Sequence, residues 1–400
     1  MTGGATPEQP LVSIVTPSYN QGAFIRATIE SVLAQDYPAI EYIVMDGGST
    51  DATARIVAEY AGRLTWISEK DRGQTHAINK GFQRARGQYV AWINSDDLLL
   101  PGAVAGAVAA LGRSPQVAAV YGEGYRIDRE GCVLGRFPAT EPFNLWKLVH
   151  LSDYILQQSV FFRRSPIEQV GWLDESLHYT MDWDLLIRLG KQFGLAYVPE
   201  YWGCLREYAE AKTFSGGWRR VGEIRDMLQR HTGSRWGSGF WNYGLGELQR
   251  ALKDTLECRS PRWIRPPAVL LSFLQYVATA GAIMMILRHA QGLYLDRWAS
   301  DKLRWMLPAG AGEVTIRGVA PDHPRLRGQQ LRVFAEGREL GRWPVGPGSF
   351  ELRFQAPPGE PRPFSFVVRA TRHKRPKFGS ELSFRRQAFV LETAEWGLCR

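Results

Sequence analysis

Cysteine is scarce. The 400 residues hold four, Cys132, Cys204, Cys258 and Cys399, far apart and in neither CxxC nor zinc-ligand spacing. No disulfide framework or metal clip is expected from them, and a reducing compartment is the simplest setting. The start, MTGGATPEQP, has no basic segment followed by an apolar one, so no secretion signal is expected. Internal repeats and low-complexity tracts are missing too. Long uncharged runs are rare: only AVLLSFLQYVATAGAIMMIL, Ala268 to Leu287, is long enough to cross a bilayer, with Arg262 and Arg265 before it and Arg288 after. Ser272, Gln275, Thr279 and Gly281 dilute that run, and buried or membrane-surface helices are the expectation, with a crossing as the alternative.

What is present describes a globular chain. At 44% hydrophobic and 22% charged residues, it can bury a core and divide into two or three domains, which excludes a disordered or fibrous protein. The net charge of +9 is unevenly spread. Residues 301–400 hold 18 Lys+Arg against 10 Asp+Glu, and residues 1–300 hold 31 against 30. The front is nearly neutral and the tail is basic, with Arg372, Lys374, Arg375 and Lys377 close together, a pattern that suits an anionic partner or a solvated face.

From Leu11 onward, strand and helix signals alternate. LVSIVTPSY, IEYIVMD, LTWISE and QYVAWIN read as strands; the segments around Ile25–Leu33, DATARIVAEY and Gln74–Ala85 read as helices. This pitch predicts crossover helices on a mostly parallel sheet whose strands are buried on both faces. Ser49 or Thr50 is the expected cap of the second helix. From Val117 the pattern turns mixed: a hairpin, the strand-like QQSVFFRR, then a helix from Asp182. Residues 231–300 read as helical. From Glu313, short strands with two-residue alternation, broken by Gly and Pro, predict a separate β-sandwich. The expected fold class is thus α/β, followed by a helical segment and an all-β sandwich. The expected domains are residues 1–230, 231–300 (helical, with membrane association in view) and 301–400 (basic).

The strand ends carry acids. Asp46 follows IEYIVM, Asp71 follows LTWISE, and Asp96 with Asp97 follows VAWIN. In an open parallel sheet these ends face the ligand crevice. Asp46 leads into Gly47, Gly48 and Ser49, small residues that let a nucleotide approach the backbone. Asp96 and Asp97 offer hard oxygen ligands for Mg²⁺ or Mn²⁺. Each acid alone also suits a turn or a helix cap.

Four stretches together, SIVTPSYNQGAFIRATIESVLAQDYP, YIVMDGGSTDAT, GQTHAINKGFQRARGQYVAWINSDDLLLP and TMDWDLLIRLG, resemble the family 2 inverting glycosyltransferases of the GT-A fold, over about Leu11 to Arg206. By that resemblance Thr16, Pro17 and Tyr19 line the nucleotide pocket, Asp46 holds base or ribose, Asp71 closes that side, and Asn94 and Ser95 lie on the donor side. Asp96 matches the second acid of the DxD signature, a metal ligand. The first acid is Asn94 here, so metal binding rests on Asp96 alone or is shared with Asp97. Asp182 matches the general base; on its own it also suits a helix N-cap. Gln157, Gln158 and His178 are weaker candidates for the acceptor side.

The resemblance implies one in-line displacement, with the metal neutralising the leaving diphosphate and Asp182 taking the acceptor's proton. A nucleotide-diphosphate sugar, UDP-linked by resemblance, is the expected donor. The QxxRW signature of processive synthases is absent, so a single addition to a glycan or lipid-linked acceptor in surface polysaccharide biosynthesis is expected. The expected setting is cytoplasmic, with association at the inner face of the cell membrane and its anionic surface in view. Nucleic acid is not an expected partner. A non-catalytic glycan-binding protein with a relic transferase domain, supported by Asn94, is the competing expectation. An NAD-dependent oxidoreductase is disfavoured because no GxGxxG follows the first strand.

Overall fold

The computed structural model describes residues 9–138, 140–259, 298–299, 302–307, 311–322, 324–335, 338–356, 364–372 and 389–398. The Ala268–Leu287 run and the Lys374, Arg375 and Lys377 cluster lie outside them. Among the described residues, no helix is long and apolar enough to cross a membrane, and Cys132 and Cys204 are free thiols.

The chain runs β1 (Val12–Ser18), α1 (Ile25–Leu33), β2 (Ile40–Asp46), α2 (Thr53–Ala58), β3 (Thr65–Ser68), α3 (Gln74–Arg84), β4 (Tyr89–Trp92), β5 (Leu98–Leu99) and α4 (Ala103–Arg113). It continues through β6 (Ala119–Ile127), β7 (Val133–Arg136), α5 (Leu145–His150), a 3₁₀ turn (Gln157–Ser159), β8 (Val160–Arg163), α6 (Arg164–Val170), α7 (Met181–Gln192), β9 (Leu195–Arg206) and α8 (Lys212–Ser215). Then come α9 (Gly217–Thr232), α10 (Ser238–Arg259), β10 (Trp298–Ala299), β11 (Lys302–Leu307), β12 (Ala311–Ala320), β13 (Gln329–Ala335), β14 (Arg338–Val345), β15 (Gly348–Gln355), β16 (Phe364–Ala370) and β17 (Phe389–Leu398).

Two compact units result. The first comprises Met1–Phe143 and Tyr154–Gly216, the second Asn144–Asp153 and Gly217–Arg400.

The first unit is α/β. Its nine-stranded sheet runs β3-β2-β1-β4-β8-β6-β9-β5, with β7 beside β6. β1, β2, β3 and β4 are parallel; β8 runs antiparallel to β4 and β6. The front is parallel because helices cross over between its strands. Every residue of β1 and β4 is buried, as covering both faces requires. Helix α1 supplies part of that cover, burying Ile25, Thr28, Ile29 and Val32 at helical spacing. Register sets Ser18 beside Asp46, and Asp46 beside Ser68. The carboxyl ends of the parallel strands therefore open on one edge.

The second unit contains helices and a β-sandwich. Helix α9 buries Val221, Ile224, Met227 and Leu228 on one stripe. Sheets β10-β17-β12-β15 and β11-β16-β13-β14 are antiparallel. Their inner faces share a core that includes Leu303, Trp305, Ile316, Leu331, Val333, Leu352 and Phe366.

Candidate active site

One side of the strand-end edge is built from the loops after β1, β2 and β3. Asn20 sits at φ 52°, a left-handed conformation that asparagine tolerates. Its backbone N–H donates to Ser49 Oγ (2.8 Å) and its Oδ1 accepts from the Thr50 N–H (2.8 Å). The Gln21 N–H donates to Thr53 Oγ1 and the Gly22 N–H to Asp51 Oδ2, both at 2.9 Å. Asp51 Oδ1 also accepts from the Thr53 N–H. The expected cap is thereby corrected: Asp51 serves the start of α2, and Ser49 and Thr50 bind the neighbouring loop.

Asp46 is buried at the end of β2. It accepts from the hydroxyls of Ser49 and Ser68, the latter at 2.6 Å, and from the Ser49 N–H at 3.1 Å. A Cβ added to Gly47 would lie 2.7 Å from the Asp71 carboxylate and 3.3 Å from the Tyr19 ring. Tyr19, Gly47 and Asp71 therefore meet. Asp71 accepts from the Gly73 N–H at 2.8 Å. Tyr19 is exposed, whereas Thr16 and Pro17 are buried in β1. Thr16 shares a hydrogen bond with the Tyr42 hydroxyl at 3.1 Å. Ser18 Oγ is buried with no hydrogen-bond partner among the described residues.

The two adjacent aspartates have different surroundings. Asp97 is 2% exposed. Its Oδ2 accepts from Asn94 Nδ2 (2.9 Å) and Gln158 Nε2 (2.6 Å), and its Oδ1 from the Arg206 N–H (2.8 Å). Both oxygens are engaged. Burial, then the nearby Asp96 charge, pushes its carboxyl well above the usual range. Asp96 Oδ2 accepts from the Tyr208 hydroxyl at 2.7 Å. Burial raises the Asp96 carboxyl too, with Tyr208 acting in the opposite direction. Burial and the neighbouring Asp96 push the Tyr208 phenol up, so it remains a proton donor. Arg206, itself buried, donates from Nε to the Asp96 carbonyl (2.7 Å) and from one guanidinium nitrogen to the carbonyls of Asp128 and Arg129. That clamp fixes the backbone beneath Asp96.

Ser95, Gln157 and Gln158 are buried. Gln157 Nε2 donates to the Trp92 carbonyl at 2.9 Å. Both glutamine amides serve the strand-end network. A Cβ on Gly203 would lie 2.6 Å from the Gln158 carbonyl; glycine there lets the 3₁₀ turn lie against β9.

Asp182 stands in the first turn of α7, where a carboxylate favours the helix dipole. It is half-buried, and its Oδ1 accepts from the Trp183 N–H at 2.8 Å. Asp184 is committed elsewhere: it pairs with Arg188 at 2.8 Å, and Arg188 also donates to the carbonyls of Val170, Gly171 and Trp172. A chain of contacts joins the approach to Asp182 with the end of β4. Lys212 Nζ lies 6.0 Å from the Tyr179 ring centre and donates to Gln74 Oε1 at 2.7 Å, and Gln74 Nε2 donates to Asn94 Oδ1 at 2.7 Å. Thr75, one residue on, donates to the Leu177 carbonyl at 3.0 Å. Exposed His178 stacks edge-on against Tyr179.

Sequence reasoning missed Ser68, Gln74, Arg206, Tyr208 and Lys212. The last three lie in LREYAEAK, which spans the end of β9 and the residues after it. A cation and an aromatic at a strand's exit were the available signal.

No group of three His, Cys, Asp or Glu side chains could hold a metal among the described residues.

Residues 13–166 match the model of Glycosyl transferase family 2. An uncharacterized glycosyltransferase of Mycobacterium tuberculosis (strain CDC 1551 / Oshkosh) is 34% identical over 182 residues, 45% of this chain and 68% of that protein. Another, from Rickettsia typhi, is 31% identical over 187 residues, covering 44% of this chain and 57% of that one. Among solved structures, S. aureus TarS 1–349 with UDP-GlcNAc is 15% identical at TM-score 0.45, covering 69% of this chain and 81% of that one. The chain belongs to glycosyltransferase family 2. It spans just over half the length of the Rickettsia relative.

Proposed function

We propose that this protein is an inverting, metal-dependent glycosyltransferase. It moves one sugar from a nucleotide-diphosphate donor to a hydroxyl of a glycan or lipid-linked acceptor during surface polysaccharide biosynthesis. The observation that carries the reading is the shared edge: Tyr19, Asp46 and Asp71 lie at the ends of the parallel strands with Asn94 and Asp96, and the Gln74–Lys212 pair links Asn94 toward the loop before Asp182.

In this reading Tyr19 and Asp71 border the nucleotide, and Asp46 and Ser68 hold the pocket floor. Asp96 would hold Mg²⁺ or Mn²⁺, which offsets charge on the leaving diphosphate. Asp97 is assigned a structural role, because both its oxygens already accept from the chain's own donors. Asp182 takes the proton of the attacking hydroxyl. One displacement with one base inverts the anomeric carbon, and alignment of the two substrates supplies much of the rate. His178, exposed four residues before Asp182, is assigned to the acceptor side. The proposal sets the transferase domain within residues 1–230, the helical segment in 231–300 and the basic sandwich in 301–400. It sets the enzyme in the cytoplasm, at the inner face of the membrane.

The test is a thermal-shift screen of nucleotide sugars with Mn²⁺, followed by assay of nucleoside diphosphate release with the donor that stabilises the protein. Asp182→Asn is expected to abolish release and keep the donor-induced shift. Folded protein with no shift and no release for any donor would refute the reading.

A further inference from the structure

The outer face of the β11-β16-β13-β14 sheet carries a row of like charges. Arg332 on β13 is in register with Arg342 on β14 and with Arg369 on β16. Cross-strand partners project on the same face, and like charges directly opposite one another are unfavourable. The other sheet follows the ordinary rule: Arg317 stands opposite Glu351 and pairs with it at 2.8 Å, and Arg353 pairs with the same Glu351. Among the described residues only Glu339 relieves the arginine row, bonding both Arg332 and Arg342. Among the described residues Arg369, which is exposed, has no acidic partner. The guanidinium carbons of Arg332 and Arg369 each lie 4.9 Å from the Phe334 ring centre. That cation–π contact holds two of the three forks in place.

We infer that this face binds a linear anionic glycan whose carboxylate or phosphate groups lie along the Arg342–Arg332–Arg369 row. Strands about 4.8 Å apart set the guanidiniums side by side in a line. Planar forks recognise carboxylate and phosphate through paired hydrogen bonds. A line of forks held flat on a sheet fits an extended polyanion better than a lipid surface, which insertable loops and amphipathic helices engage. The inference stands independently of sugar transfer.

The full-length chain would be run in native gels containing polygalacturonate, a phosphodiester-linked mannan or neutral dextran. Retardation by at least one of the anionic polymers, weakened by salt and absent with dextran, is expected; which polymer retards more identifies carboxylate or phosphate as the ligand group. Arg369→Ala should weaken it about tenfold, as loss of a charge-assisted contact implies. The melting temperature should hold or rise, because repulsion is removed; a merely structural arginine would lower it. Arg342→Gln should weaken binding similarly, and Arg353→Ala on the opposite sheet should leave binding unchanged. The inference is overturned if neither anionic polymer retards the protein, if Arg353→Ala weakens binding as much as Arg369→Ala, or if phosphatidylglycerol vesicles or duplex DNA bind more tightly than both glycans.

Discussion

Replacing each neighbouring aspartate by alanine should separate a residue that holds the fold from one that meets the ligand. In Asp97→Ala, Asn94 Nδ2, Gln158 Nε2 and the Arg206 N–H all lose their acceptor. A buried donor left unpaired costs about 1–3 kcal/mol. Relaxation and entering water recover part of that, leaving a loss of about 3–5 kcal/mol and a fall in melting temperature of roughly 10 °C. Asp96→Ala removes one bond from Tyr208, worth about 1 kcal/mol and roughly 3 °C. In the ligand assay the order reverses. The Mn²⁺-dependent shift with nucleotide should vanish in Asp96→Ala, which stays folded. Differential scanning fluorimetry with and without Mn²⁺ and nucleotide reads both quantities on one instrument. The reasoning fails if Asp97→Ala melts near the wild type, or if Asp96→Ala is the less stable of the two.

Three further outcomes are expected. Gly203→Ala should cost about 1–3 kcal/mol by forcing a Cβ toward the Gln158 carbonyl, read as a lowered melting temperature. Asn94→Asp should strengthen Mn²⁺ binding in calorimetry, yet destabilise the chain by about 1–3 kcal/mol, because a carboxylate would face Asp97 where an amide now donates. Glu339 is held down to about 2, by Arg332 first and then Arg342. A depressed carboxyl stabilises the fold above the ordinary glutamate value and loses that contribution as pH falls toward 2. The melting-temperature gap between Glu339→Gln and wild type should therefore be full at pH 7 and close between about pH 4.5 and 2; a gap independent of pH would contradict the shared ion pair.

Much of the fold was legible because its signals are local. The unbroken apolar runs of β1, β2 and β4 and the three-to-four spacing of α1 are read within ten residues, and alternation of strand and helix then implies a parallel sheet. The sandwich announced itself by two-residue alternation. Local signals misled at the start of α2, where Ser49 or Thr50 was the expected cap. The structure turns Ser49 toward Asp46 and Asn20, a choice made by the neighbouring loop.

The sequence by itself determined that acids stand at the exits of successive strands. It did not determine which of them is occupied by the protein. Asp96 and Asp97 are adjacent in the chain and equal in chemistry. Their difference arises from Tyr208, 112 residues beyond Asp96, and from the Arg206 N–H, 109 residues beyond Asp97. Lys212 meets Gln74 across 138 residues. A side chain's spare hydrogen-bonding capacity depends on everything packed around it, and only the folded chain brings those donors within 3 Å.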